Sequence, residues 1–312
     1  MTSQRSSVAV TGAVGNLGWK LLTHLARQGS YTRLVGLDVQ TPDAARLAEL
    51  RQIAETHALA SPPDIEFIAC DLSDWQDQSW RSALNGAEAV VHFAAQNPYP
   101  EASWNDAVVS MDMTMNVVMA SVESGRVSRF VFATSNHVMG RYNDAPLADQ
   151  IGPSQLTTDL EPGVGTVWHT GSQEMDSTIY AVTKITGERI CQGFGRQTAG
   201  RVTFACVRIG WCQPGENRPE TLSASGSPTL QGGPQSDMDP ATLARTERWF
   251  KGMWLSNRDF VQLFERAILA DGSDWLAGSI VVNGMSNNTD MAWSLTDTKK
   301  WLSYEPQDNV YG

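Results

Sequence analysis

Cysteine is scarce in this chain and is never paired by spacing. The four thiols, Cys70, Cys191, Cys206 and Cys212, form no C-x-x-C arrangement, and three of them lie in apolar stretches. That excludes a disulfide-stapled fold and reads as buried free thiols in a reducing cytoplasm; no metal site is expected. Long apolar runs are also missing. None approaches the ~20 residues of a membrane span, and because the polar start Met1-Thr2-Ser3-Gln4-Arg5-Ser6-Ser7 runs straight into a predicted strand, no signal peptide is expected. Positive charge is in deficit, with 23 Lys+Arg against 34 Asp+Glu and a formal net charge of -11. This argues against non-specific nucleic-acid binding and against an anionic membrane surface. It leaves an anionic small molecule open, because one local Arg outweighs a diffuse negative field. No internal repeat is present.

What remains is a chain of 312 residues, 41% hydrophobic and 18% charged. That suffices for a large core, or for one α/β domain with a smaller appendage. Val8-Ala9-Val10 reads as a short buried strand. The helix after it carries Leu17, Leu21 and Leu25 and stops at Gly29, a C-cap. Further strands are expected at Leu34–Asp38, Glu66–Asp71, Ala89–Ala95, Arg129–Thr134 and Val202–Arg208. Helices are expected through Arg46–His57, Asp106–Gly125 and from Tyr180 to about Arg196. This alternation implies a Rossmann-type, doubly wound parallel sheet of the α/β class. Two stretches, Arg141–Ile179 and Pro214–Thr246, break the rhythm with Gly, Pro, Ser, Thr and Asp. Both follow C-terminal strand ends, where open α/β sheets bind ligands. They read as a lid or pocket wall, or alternatively as surface decoration or a subunit contact. The expected division is a dinucleotide-binding domain over 1–213, with its insertion at 141–179, and a substrate-binding or lid region over 214–312 whose last elements return to the core.

Two motifs carry chemistry. Thr11-Gly12-Ala13-Val14-Gly15-Asn16-Leu17-Gly18 follows a strand and opens a helix. Gly12 permits the tight turn, Gly15 lets the backbone approach a pyrophosphate, and Gly18 allows close helix–strand packing at a partly positive helix N-terminus. Asp38 ends the second strand twenty residues beyond Gly18. A carboxylate there accepts ribose hydroxyls and repels a 2′-phosphate, and no Arg follows it closely, so NAD is expected over NADP. Tyr180 and Lys184 lie four positions apart and so share one helix face. A free phenol has a pKa near ~10, and a fixed positive neighbour lowers it, which suits Tyr180 as a base. His92 reads as a packed histidine rather than a catalyst.

Together the motifs resemble the extended short-chain dehydrogenase/reductases, the NAD-dependent epimerase/dehydratase family. The resemblance implies cofactor contacts from Gly12, Val14, Gly15, Asn16 and Leu17 in the turn, Asp38 at the ribose, and Asp71 and Leu72 at the adenine. Ala94 and Ala95 would flank the cofactor, with Ile209, Tyr180 and Lys184 completing its contacts. It also implies a triad of Ser135, Tyr180 and Lys184. The gap of 45 residues from Ser135 to Tyr180 is longer than the family usually shows and is filled by the first insertion.

Ser135-Asn136-His137 resembles the uronate dehydrogenases and their sugar-oxidising relatives, as do Val207-Arg208-Ile209-Gly210, Trp254-Leu255-Ser256-Asn257-Arg258-Asp259-Phe260 and the tail Leu302–Asn309. By that likeness Asn136 and His137 hydrogen-bond sugar hydroxyls; the alternative is that they cap the turn. Trp211 stands where those enzymes have Ser, Asn97 or Gln96 where they have another Ser, and Ser110 where their next helix begins with Asn. Arg248 or Arg245 stands near the position of their carboxylate-clamping Arg, or simply faces solvent. The implied activity is NAD-dependent oxidation of the C1 hydroxyl of a cyclic sugar to a lactone. The substrate would be a hexuronate, an aldose, or a hexose with phosphate or sulfonate at C6, and the enzyme a homo-oligomer. An NDP-sugar epimerase with tightly held NAD is the second reading. A non-catalytic NAD(P)-binding redox sensor is the third.

Overall fold

The computed structural model describes residues 6–96, 102–169, 174–222 and 240–312. In chain order its elements are β1 (Ser7–Thr11), α1 (Asn16–Gln28), β2 (Arg33–Asp38), α2 (Ala44–His57), β3 (Asp64–Ala69), α3 (Gln78–Leu84), β4 (Ala89–His92), α4 (Trp104–Glu123) and β5 (Arg129–Ser135). There follow β6 (Val167–His169), β7 (Glu174–Asp176), α5 (Thr178–Gln197), β8 (Thr203–Ile209), α6 (Pro240–Gly252), α7 (Asn257–Leu269), β9 (Ser279–Gly284) and α8 (Thr296–Leu302). Seven strands form one sheet in the order β3-β2-β1-β4-β5-β8-β9, and every pairing in it is parallel.

β1, β4 and β5 are buried along their whole length, which is why they read as continuous apolar runs rather than alternating ones. Each face of the sheet carries its own core. Leu21 and Leu25 of α1 and Phe260 and Phe264 of α7 cover one face. Trp80 of α3, Val117 of α4 and Cys191 of α5 cover the other. The amphipathic face of α1 ends at Gly29, whose φ of 65° places it in the left-handed region, as the sequence predicts. A reciprocal Ser103–Asp106 capping box starts α4. The strand order reverses between β1 and β4, so a crevice opens at the carboxyl ends of these strands.

Four features differ from the sequence reading. The fourth strand stops at His92, because Phe93–Gln96 peel off the sheet into the crevice. β3 lies two residues earlier than the expected span. A 3₁₀ segment at Asn136–Asn143 leads into the first insertion, which contains a 3₁₀ turn at Leu147–Gln150 and the antiparallel β6–β7 ribbon and sends Leu156 and Met175 into the core. The second stretch is not loop to Thr246, since α6 begins at Pro240; proline's fixed φ suits a first helical residue.

α5 is tied to the sheet by a buried ion pair. The Arg208 guanidinium of β8 donates twice to Glu188 of α5, at 2.9 and 2.8 Å, and Thr134 Oγ1 of β5 donates to the same carboxylate at 2.8 Å. Both charged side chains are almost wholly enclosed. Glu188→Ala leaves the guanidinium uncompensated. The expected loss is about 3–5 kcal/mol, read as a lower midpoint in chemical denaturation; an unchanged midpoint would contradict this account of the staple.

Candidate active site

The glycine-rich turn builds the first half of the site. Gly12 has φ of 65°, and a Cβ there would lie 3.0 Å from the Ala94 amide nitrogen; a Cβ at Gly18 would meet the Gly12 carbonyl oxygen at 2.2 Å. Only glycine allows this approach of α1 to the turn. Gly15 caps α1 without a side-chain hydrogen bond, so the helix's first amides point into the crevice. Asp38 Oδ2 accepts from the Val14 N–H at 2.9 Å, fixing the β2 carboxylate beside the turn.

A cleft of about 330 Å³ is lined by Gly12, Gly15, Asn16 and Leu17 from the turn, by Asp38 and Leu72, and by Phe93–Gln96. A dinucleotide fits this cradle, with its pyrophosphate at the α1 N-terminus. Val39, Cys70 and Met113 also line it and were not singled out from the sequence. For Val39 the sequence signal is only its place directly after Asp38; the structure shows its side chain 73% exposed. Burial pushes the Cys70 thiol up to about 12, so it is an inert wall. Asp71 faces elsewhere. Its carboxylate accepts from the Ser73 N–H at 2.9 Å and the Ser73 hydroxyl at 2.6 Å, while Leu72 beside it reaches the cleft. Asn16 Nδ2 donates to the Cys212 carbonyl at 3.0 Å, tying the turn to the segment after β8.

His92 is structural. It is fully buried between Thr11 Oγ1, at 2.7 Å from Nδ1, and Thr114 Oγ1, at 3.2 Å from Nε2. Burial first, and the Lys184 charge second, hold its pKa down at about 3. Ser110 Oγ bonds both the amide and the carbonyl of Gln96 at 2.9 Å, so this residue pins the loop that walls the cleft.

β5 and α5 supply the chemical half. Ser135 is the last residue of β5, and its hydroxyl hydrogen-bonds the Tyr180 phenol. Tyr180 and Lys184 lie on one face of α5 and point at β5: the ammonium donates to the Ala133 carbonyl at 3.1 Å and sits 5.5 Å from the Tyr180 ring centroid. Burial pulls Lys184 down to about 8. The phenol departs from the sequence expectation. Burial raises its pKa, and the Ser135 hydrogen bond only partly offsets that. Desolvation outweighs the neighbouring ammonium, which the interior partly discharges. The chain alone therefore holds Tyr180 protonated at neutral pH.

Asn136 and His137 follow at the start of the 3₁₀ segment. Asn136 Nδ2 donates to the Ile209 carbonyl at 2.9 Å, which places Ile209 of β8 against the same edge. The other amide atom, Oδ1, is buried without a partner among the described residues. The His137 ring packs edge-on to Tyr180, 5.9 Å between centroids. Trp211 is pinned by its backbone to Met253 and Leu255, and its ring meets Phe250. Arg245 and Arg248 are not in the dinucleotide cleft. With Trp249 they share one face of α6 and line a cavity of about 500 Å³ against Tyr142, Asn143 and Trp293. Asn97 lies outside the described residues. Among the described residues there is no cluster of three or more His, Cys, Asp or Glu able to hold a metal ion, and no helix long and apolar enough to cross a membrane.

Residues 8–211 match the family described as the NAD dependent epimerase/dehydratase family. The chain is 28% identical over 305 residues to an L-arabinose 1-dehydrogenase (NAD(P)(+)) of Haloferax volcanii, covering 97% of this chain and 96% of that protein. It is 27% identical over 308 residues to an NAD-dependent glucose-6-phosphate dehydrogenase of the same organism, covering 97% and 93%. Among solved structures, a mutated uronate dehydrogenase superposes with a TM-score of 0.64 at 24% identity, covering 98% of this chain and 83% of that one.

Proposed function

The chain belongs to the NAD dependent epimerase/dehydratase family, and we propose that within it the protein oxidises the C1 hydroxyl of a cyclic sugar to a lactone with NAD. The observation that carries this reading is the Ser135–Tyr180–Lys184 cluster on β5 and α5, with Ser135 and Lys184 buried and Tyr180 half-buried, one strand over from the loop that lines the dinucleotide cleft. The two haloarchaeal dehydrogenases, similar along nearly their whole length, support it.

In this reading the Gly12–Leu17 turn holds the pyrophosphate, Asp38 the adenosine ribose, Leu72 the adenine, and Ala94, Ala95 and Ile209 the nicotinamide side. Asp71 supports that contact through its turn. When bound, oxidised nicotinamide accepts a hydride and brings a positive ring charge. Tyr180, in its phenolate form, takes the proton of the C1 hydroxyl, so the alcohol loses one hydride and one proton. Ser135 can donate to the carbonyl and accept from the alcohol, which keeps the reacting oxygen in line with the phenol. Lys184 spends one N–H on Ala133 and has two donors left for the nicotinamide ribose. Asn136 and His137 take hydroxyls near the reacting carbon. Arg245 or Arg248 meets an anionic far end, with Trp211 shaping the pocket. We place the enzyme in the cytoplasm as a homo-oligomer.

The test is a panel of pentoses, hexoses, hexose 6-phosphates and uronates with NAD, followed by NADH absorbance. Comparing glucose with glucose 6-phosphate isolates the anionic end. The expected result is NADH formation, with a lower KM for the anionic member. No NADH from any member, with NAD retained through purification, would point to an epimerase instead.

Cofactor choice gives a second measurement. Asp38 carries a charge that ribose hydroxyls favour and a 2′-phosphate opposes. Asp38→Ala is expected to lower the NAD/NADP ratio of kcat/KM by about 10–100-fold, the worth of a charged hydrogen bond. Equal ratios for variant and parent would remove Asp38 from the assignment.

A further inference from the structure

Arg46 stands in the first turn of α2, well past Asp38 along the chain, yet the fold brings both side chains to one residue of the glycine-rich turn. Asp38 Oδ2 accepts from the Val14 N–H at 2.9 Å, and Arg46 Nη2 donates to the Val14 carbonyl at 3.3 Å. Ordinary backbone bond lengths then keep the carboxylate and the guanidinium within about 10 Å of each other. The guanidinium is held in place from its other side. It lies over the Trp19 ring, 4.1 Å from the centroid, in a cation–π contact, and Trp19 packs in turn on Phe67 of β3, 6.0 Å between centroids. The Asp43 carboxylate caps α2 by accepting from the Arg46 N–H at 2.8 Å, which fixes the backbone that carries the side chain. Among the described residues no carboxylate forms an ion pair with this guanidinium. It is half-buried, and of the five N–H donors of an arginine one is spent, on Val14.

We propose that Arg46 forms a subsite for a phosphate on the 2′ oxygen of the adenosine ribose, so that the cleft takes NADP as well as NAD. The inference rests on the reading that Asp38 meets that ribose. Asp38 alone would repel a 2′-phosphate. Arg46 is tethered to the same residue of the turn, so it brings the opposite charge to the same end of the cleft under the same screening, and its attraction offsets the repulsion. The guanidinium also suits the ligand in shape, because its planar fork donates to two oxygens of one phosphate. The cleft is open on this side. Val39 lines it, and Val39, Gln40 and Thr41 are all exposed, so the ribose end faces solvent rather than packed protein. An unmodified ribose uses Asp38 and leaves Arg46 stacked on Trp19. Arg46 therefore acts on the choice between the two dinucleotides rather than on dinucleotide binding as such.

The test is isothermal titration calorimetry of the full chain with two adenosine fragments, 5′-AMP and adenosine 2′,5′-bisphosphate, which differ only in the 2′-phosphate. The parent should bind the bisphosphate within about 10-fold of AMP, the scale of one charged hydrogen bond; a parent that binds AMP and not the bisphosphate overturns the proposal. Arg46→Met should weaken the bisphosphate by about 10–100-fold and change AMP little. Arg46→Lys, which keeps the charge, should retain most of the bisphosphate affinity, and added salt should narrow the difference between parent and Arg46→Met. Equal losses for both fragments in Arg46→Met would reduce the residue to a support of the turn and overturn the proposal. Asp38→Ala separates this inference from the reading beneath it. If Asp38→Ala weakens AMP while Arg46→Met leaves the ratio of the two affinities unchanged, the ribose reading stands and the Arg46 proposal falls. If neither variant alters either fragment, both fall.

Discussion

Tyr180→Phe is expected to lower kcat for sugar oxidation by about 10³–10⁴-fold while the fold and the NAD affinity stay close to those of the parent. The substitution deletes one oxygen from a half-buried ring and leaves its shape in place. Ser135 Oγ still accepts from the His137 N–H at 3.1 Å, and the stability change should be limited to the one hydrogen bond lost, about 1 kcal/mol. The chemical loss is different in kind. General-base assistance contributes about 10²–10⁴-fold, and the hydride and proton must leave together. The pH profile adds an independent check. Because burial raises the phenol's pKa, the form that accepts the proton grows as pH rises, so kcat/KM of the parent climbs on the alkaline side and the residual rate of the variant does not. Ser135→Ala should cost less, about 10²–10³-fold, as for a single lost donor at a reacting oxygen. Stopped-flow and steady-state NADH formation, with fluorescence titration for NAD, measure all of this. A Tyr180→Phe variant retaining more than a few per cent of kcat would show that another group is the base.

The parts of this molecule written in local periodicity are the parts that can be read from sequence. β1, β2, β5 and α5 fall within a residue or two of their expected limits, because buried parallel strands and helical faces leave unbroken apolar patterns. The Tyr180–Lys184 spacing and the glycine turn are equally local. What failed to show depends on distant partners. β9 is a six-residue edge strand, Ser279–Gly284, and nothing in its own sequence says that it pairs with β8. α3 has seven residues, too few to establish a period. Phe93–Gln96 have the composition of a strand, yet they leave the sheet because the loop is pinned by Ser110. The Arg46–Val14 contact joins residues 32 apart that no motif connects. The direction of the Tyr180 shift was missed for the same reason. Helical spacing places an ammonium near the phenol, but only the enclosing tertiary structure sets how much desolvation opposes it.

Lys184→Met should make the free protein more stable and the enzyme nearly inactive. The ammonium is enclosed, with the Ala133 carbonyl as its hydrogen-bond acceptor at 3.1 Å and the Phe132 and Tyr180 rings beside it. Among the described residues no carboxylate forms an ion pair with it, and the nearby Glu188 is committed to Arg208. Desolvation lowers its pKa from 10.5 to about 8, so holding the charge inside at neutral pH costs on the order of 3 kcal/mol. Methionine fills a similar volume without that cost and loses one hydrogen bond of about 1 kcal/mol, leaving a net gain of about 1–2 kcal/mol and a Tm higher by a few degrees. The sign fixes the pH window. The folded-state pKa lies below the unfolded one, so between about pH 8 and 10.5 the unfolded chain holds a proton that the folded chain has released, and parent stability rises with pH there. The advantage of the variant is therefore largest below pH 8 and shrinks as pH approaches 10.5. Activity runs the other way, because the ribose donors and the charge beside the phenol disappear together; kcat/KM should fall by at least about 10²-fold. Saturating NAD should narrow the stability gap, since it binds the parent more tightly and stabilises it by mass action. Thermal melts at pH 6 to 10 with and without NAD decide the matter. A parent more stable than the variant at pH 7 in the absence of NAD would mean that Lys184 is held by partners that this account lacks.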